Sequence, residues 1–438
     1  MITPTAREGG YLPVAAYGLI GDGGSAALVG SDGSIDWLCL PRFDDPSLFG
    51  RLLDARRGGH WQLAPRGPYR VLQRYGDRSN VLETLFETRT GRVLLSDLMP
   101  LGAGPSQPRV VRIVECLSGE MTLRHECLPA PGYAEHGPGA PGFEGGVLRV
   151  GSGEDDVLVT GSEPIVRGRE ELHVLAGETV AFALHVCAAA AAPPPWSTER
   201  ARRLRGETGA AWWAWAARCA YAGPHPEAVA RSALVLGLLT HAPTGAMLAA
   251  PTTSLPEPGA GVRTRDLRAV SMHDASTAPA VFLQLGLLDE AHALSGWLER
   301  HRGGGAGGLL GLDGGPAGTE RVLDHLDGHR GMGPVRVGTG DGGTGDGVAG
   351  DGGPGLAGAF RQVGALARHG ELEQAQWLFA RLLTHRSPLG LLSDGVDART
   401  GELLGNFPRA AAHLALVGAA VDIERARSGA GGTQRTGG

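Results

Sequence analysis

The sequence contains no lysine: all 40 of its basic residues are arginine. Glycine, at 72 of 438 residues, is more than double its usual share of ~7%. Together these biases match GC-rich coding, since Gly, Ala, Arg and Pro codons are GC-rich. Positive charge is in short supply. The net charge of -6 and pI near 6.2 exclude a basic-groove nucleic-acid binder. Cysteine is scarce as well: Cys39, Cys116, Cys127, Cys187 and Cys219 are odd in number and form no Cys-x-x-Cys pair. Neither a zinc site nor a disulfide framework is indicated. No apolar run approaches the ~20 residues that span a bilayer, and the N-terminus has no apolar h-region. No membrane partner and a cytoplasmic location are therefore expected.

What is present is a globular composition, 42% hydrophobic and 20% charged, on a chain longer than the ~250 to 300 residues at which single cores stop growing. Two domains follow. Residues 17–41 read as two apolar runs around Gly30-Ser31-Asp32-Gly33, which is hairpin chemistry. Runs at 60–64, 69–75, 81–88, 92–98, 109–116, 121–128 and 179–187 are rich in β-branched or aromatic residues and separated by turn formers, predicting a β-sandwich. A helix follows at 199–217 with Ser197 as N-cap, and Trp212, Trp213 and Trp215 near its end are candidates for a sugar platform. From residue 226 the apolar period becomes helical, with helices read around 226–239, 276–287, 289–300, 356–369, 371–385 and 407–427. Between helices lies 391–408, Leu-Leu-Ser-Asp-Gly-Val-Asp-Ala-Arg-Thr-Gly-Glu-Leu-Leu-Gly-Asn-Phe-Pro. Its glycines supply backbone freedom, and Asp394, Asp397 and Glu402 supply carboxylates.

That stretch resembles glycoside hydrolase family 15, the glucoamylases and related trehalases. Members carry Leu-Ser-Glu-(Glu/Gln)-x-Asp, whose first Glu is the catalytic base, and a Gly-Asn-Phe-Pro-Gln-Ala-x-Ser-His run. The base position here is Asp394, one methylene short. Residues 17–44 are similar to the opening of the family's trehalase-like branch, which implies that Asp36 and Trp37 approach the sugar. Residues 234–256, with Pro-Thr-Thr-Ser-Leu-Pro followed by Glu257, resemble the first inner helix and mouth loop of an (α/α)6 barrel. Val-Arg-Thr-Arg-Asp-Leu-Arg-Ala-Val-Ser-Met-His-Asp-Ala at 262–275 matches Val-Arg-Asn-Trp-Asp-Tyr-Arg-Tyr-Cys-Trp-Leu-Arg-Asp-Ala. This implies substrate roles for Asp266, Arg268 and Asp274, with His273 where relatives have an Arg that binds sugar hydroxyls. Arg336 lies in a Pro-Val-Arg-x-Gly barrel-mouth run at 320–337, whose Asp324-His325-Leu326-Asp327 lacks the further ligands of a metal site.

The resemblance breaks at 339–355, an Asp-Gly-rich run read as a linker, where relatives place the Trp-Glu motif that carries the general acid. Asp266, Asp274, Glu320 and Asp324 are conceivable substitutes. The expected organisation is multi-domain β + α: a sandwich over 1–192, a connecting helix over 193–225, an incomplete (α/α)6-type toroid over 226–427, and a disordered tail over 428–438. The expected activity is inverting hydrolysis of α-glucosides, impaired by the lost acid, with a small saccharide as ligand, no cofactor, no metal, and a homodimer formed across the gap in the ring. A non-catalytic carbohydrate-binding protein and an acid–base enzyme repurposed to a non-sugar substrate are the alternatives.

Overall fold

The computed structural model describes residues 2–102, 108–135, 142–151, 155–189, 191–257, 264–302, 308–318, 320–331, 335–338 and 355–433. The predicted linker, apart from Gly355, lies outside them, as does the tail beyond Thr433. The chain divides into two compact units, Met1–Ala214 with Leu323–Val335, and Trp215–Val322 with Arg336–Gly438.

The first unit is built on a 14-stranded antiparallel sheet. Its organising strand is Val110–Leu128, 19 residues long, which the sequence presents as two strands because Ser118-Gly119 reads as a turn. The first half pairs with Gly91–Leu98 and Thr179–Ala188, the second with His60–Pro65 and Arg169–Leu175. Gly119 makes the change of partners: its φ is 67°, and a Cβ there would fall 1.9 Å from the Thr90 carbonyl oxygen. The predicted sandwich is thus realised as one sheet shared through a single strand. From its first half the fully buried Arg112 pairs with Asp97 at 2.7 Å and donates to the carbonyls of Trp61 (2.5 Å) and Gly33 (2.7 Å). The predicted hairpin forms between Ala26–Gly30 and Ser34–Cys39. Helix α1 (Thr198–Ala217) starts on this unit, where Ala201 and Leu204 pack with Leu98, Val111, Ile113 and Ala181.

Residues 323–335, read from sequence as part of the helical domain, group with the sheet. The Asp327 amide donates to Asp54 Oδ2 (3.0 Å), His329 Nδ1 to the Leu52 carbonyl (2.7 Å), and the Tyr11 hydroxyl to the Gly328 carbonyl (3.0 Å). These long-range polar contacts have no sequence periodicity to announce them.

The second unit contains α2 (Pro226–Leu238), α3 (Met272–Gln284), α4 (Leu288–Arg300), α5 (Leu356–Arg368), α6 (Leu372–Leu383) and α7 (Ala410–Thr433). Helix α7 packs on α2, α3, α5 and α6. Its residues 410–423 are almost all buried, as a helix apolar around its circumference requires. It also runs past residue 428, where the tail is predicted to begin. Among the described residues no helix is long and apolar enough to cross a membrane.

Candidate active site

The frame of the site is 391–408. Gly395–Val396 and Leu403–Leu404 pair antiparallel, and Asp397 closes the turn between them by accepting the amides of Arg399 (2.8 Å) and Thr400 (2.9 Å). Asp397 is therefore a turn-forming acid. Asp394, at the base of the hairpin, is drawn inward: its Oδ2 accepts the Asn406 amide at 2.9 Å and its Oδ1 accepts Arg409 Nε at 2.6 Å.

Arg409 is the hub. Besides Asp394 it donates through Nη2 to Asp274 Oδ2 at 2.8 Å and through Nη1 to the Ala249 carbonyl at 2.9 Å. It immediately precedes α7, where the helix's unpaired amides make a cation unfavourable; two carboxylates offset that. The Arg409 and Asp274 side chains are 14% and 7% exposed, and Asp394 keeps 29%. Burial works against the Arg409 charge, yet the two carboxylates prevail and hold its pKa above the ordinary value. For Asp394 the balance goes the other way. Burial raises its pKa more than Arg409 and the Asn406 amide lower it, and the Asp274 charge adds to the rise.

Asp274 occupies the first turn of α3, where its amide donates to the N-cap hydroxyl of Ser271 at 3.3 Å. Arg361 of α5 approaches its other oxygen at 3.7 Å. Behind Asp394, the buried Asn406 accepts the hydroxyls of Thr252 (2.9 Å) and Thr264 (3.1 Å) and donates to the Arg265 carbonyl (3.0 Å). The Pro-Thr-Thr-Ser run thereby fixes the residue that supplies an amide to Asp394. On the opposite side His413 Nε2 accepts the Leu392 amide at 3.1 Å, which leaves the proton on Nδ1 for Ser232 Oγ at 3.0 Å. Burial, aided by Arg231 and Arg386, lowers the His413 pKa to about 3.

Of the residues singled out from sequence, Asp394 and Asp274 come together. Asp266 and Arg268 form a buried pair at 2.6 Å, and Asp266 also accepts the Gly338 amide at 2.8 Å. Arg336 is exposed and paired with Glu320, and His273 is exposed on the first turn of α3. Trp37 is buried in the strand Ser34–Cys39 of the first unit, with no ring face left for a sugar. Its neighbour Asp36 is enclosed by Arg7 (2.8 Å) and the hydroxyls of Tyr17 (2.7 Å) and Ser34 (2.5 Å). The three tryptophans of α1 do not share a face: Trp212 is buried, Trp213 is 49% exposed, and Trp215 donates to Glu290 at 2.6 Å. Positions i and i+3 turn inward together while i+1 turns out. His325 Nε2 donates to the Tyr133 carbonyl and Asp327 pairs with Arg56. Among the described residues no three His, Cys, Asp or Glu side chains gather to hold a metal.

Sequence reasoning missed Arg409 and Glu257. The signal for Arg409 was Pro-Arg where the family run has Pro-Gln. Glu257 closes the Pro-Thr-Thr-Ser-Leu-Pro-Glu run that resembles the family, but that resemblance assigns it no chemistry.

An antiparallel sheet followed in the chain by a helical unit with clustered acids is the arrangement against which known families can be compared. Residues 10–166 match the sequence model of the trehalase-like N-terminal domain, and residues 223–341 that of glycosyl hydrolases family 15. The chain belongs to that family, in its trehalase-like branch. It is 32% identical over 377 residues to a trehalase of Mycolicibacterium smegmatis, covering 77% of this chain and 55% of the relative. A trehalase of Mycobacterium tuberculosis is 31% identical over 373 residues, covering 75% and 53%. A bacterial glucoamylase complexed with acarbose aligns with a TM-score of 0.46 and 11% identity, over 98% of this chain and 69% of that one. The chain spans about half the length of the curated relatives it matches.

Proposed function

We propose that the chain hydrolyses α-glucosidic bonds of a small saccharide by inversion, with Asp394 as the base and at a reduced rate. The observation that carries this reading is the Asp394–Arg409–Asp274 cluster, in which the family's base position and its hydroxyl-binding acid meet on one guanidinium. In an inverting reaction one carboxylate takes a proton from the attacking water while an acid protonates the leaving oxygen. Asp394 Oδ2 holds one amide and keeps a lone pair for water; Oδ1 is occupied by Arg409. The shorter side chain and the shared oxygen slow the base. The helices of the second unit form the surviving part of an (α/α)6 toroid in this reading.

That occupied oxygen also favours a second reading, a carbohydrate-binding protein without turnover. The test is hydrolysis of α-glucosyl fluoride. The wild type should release β-glucose, and Asp394→Asn should lose on the order of 10²-fold or more. Saccharide binding by calorimetry with no glucose released from the fluoride would sink the hydrolase reading in favour of the second.

A further inference from the structure

We infer that Glu257 is the proton donor of this site, acting on the leaving oxygen opposite Asp394. The inference rests on the hydrolase reading above. Two chain segments are stitched together where these acids sit: the carbonyl of Pro256 accepts the Gly405 amide at 2.6 Å. Gly405 in turn lies against Asp394, so closely that a Cβ on it would come within 2.6 Å of the Asp394 Cβ. Asn406, the next residue, donates its amide to the same carboxylate. Glu257, directly after Pro256, is thereby held beside Asp394.

The other conceivable donors are committed or misplaced. Asp266 is closed onto Arg268, Asp274 onto Arg409, and Glu320 onto Arg336, while Asp324 is exposed and groups with the first unit. Glu257 is half-buried, and its carboxyl makes no hydrogen bond or ion pair among the described residues. An acid that must deliver its proton to a ligand has to be uncommitted in this way. Burial raises its pKa, and the charge of Asp394 raises it further, which is the direction a proton donor needs. Glu257 feels the charge of Asp394 without a hydrogen bond to it, which leaves room for substrate and water between two acids of an inverting pair.

The step balances. Water attacks the anomeric carbon, Asp394 takes one of its protons, and the glycosidic C–O bond breaks with its electron pair going to oxygen. That oxygen takes the Glu257 proton. The products are β-glucose and the free alcohol, and solvent returns the proton from Asp394 to Glu257.

The experiment compares trehalose, whose leaving oxygen needs a proton, with α-glucosyl fluoride, which needs far less help. Wild type should turn over both. Glu257→Gln should lose about 10² to 10⁴-fold on trehalose while keeping fluoride hydrolysis within about tenfold, and Asp394→Asn should lose both. Wild type that cleaves the fluoride but not trehalose overturns the role of Glu257 and leaves the hydrolase reading standing, as does a Glu257→Gln variant that loses both substrates equally or neither. Wild type inactive on both ends the hydrolase reading and this inference with it. A carboxyl ¹³C titration of the wild type checks the geometry without turnover: the Glu257 signal should titrate above the ordinary glutamate range and fall in Asp394→Asn, and an unmoved titration overturns the inference.

Discussion

Arg409 shows how one residue can organise a site and constrain it. Removing one member of a buried ion cluster leaves the others charged and unpaired, at a cost of about 3–5 kcal/mol. Because Asp394 keeps part of its surface, Arg409→Gln should fall at the low end, about 3 kcal/mol in urea unfolding at pH 7. The gap from wild type should narrow below about pH 5, as the freed carboxylates protonate. An unchanged midpoint would mean that Arg409 holds nothing in place. His413 sets the acid limit. Its folded pKa of about 3 lies below the ~6.5 of an unfolded histidine. The unfolded chain therefore binds the proton first as pH falls. The stability from keeping His413 neutral is full above pH ~6.5 and is lost steadily toward pH 3, by about 2 kcal/mol at pH 5. His185, lowered to about 4 by burial and by Arg200, adds in the same direction. Urea midpoints measured from pH 7.5 to 4.5 should slope downward, and less steeply in His413→Phe.

At the scale of elements, periodicity made most of the fold legible. The helices from residue 226 onward and most strands lie where apolar spacing places them, because burial on one face imposes a period that sequence cannot hide. The long strand Val110–Leu128 escaped, since a glycine inside a strand and a glycine ending one look alike. Two substitutions separate the cases. Gly119→Val sets a side chain against the Thr90 carbonyl in left-handed backbone and should cost at least about 3 kcal/mol. Gly401→Ala, also at positive φ but with nothing within 4 Å of its Cβ, should cost only about 1 kcal/mol. Equal losses in thermal melts would contradict the assignment of Gly119 as the bend.

For the whole molecule the open question is what covers the flank of α5 and α6. A cleft of about 590 Å³ lies there, lined by Gln362, Leu366, Glu373, Gln374, Trp377 and Leu378, and Trp377 is 62% exposed. None of these residues belongs to the acid cluster. Trp377 is the exposed large apolar side chain of this cleft, with Arg381 over its ring, and we propose that a second copy of the chain covers it. Sedimentation velocity at micromolar concentration should show a dimer that Trp377→Glu converts to monomer; a monomeric wild type would end the proposal.

The sequence by itself determined the order of elements, the family, and the location of the hairpin that carries Asp394, because local periodicity and turn chemistry are written within a few residues of where they act. Tertiary structure alone decided which acids are free. Asp266, Asp274, Asp394 and Glu320 look alike along the chain, and only packing gives three of them an arginine 16 or fewer residues away and Asp274 one that is 135 residues away. Glu257 is the opposite case. Its surroundings come from Gly405 and Asp394, more than a hundred residues distant, and a carboxyl's pKa is set by whatever burial and charge the folded chain places beside it.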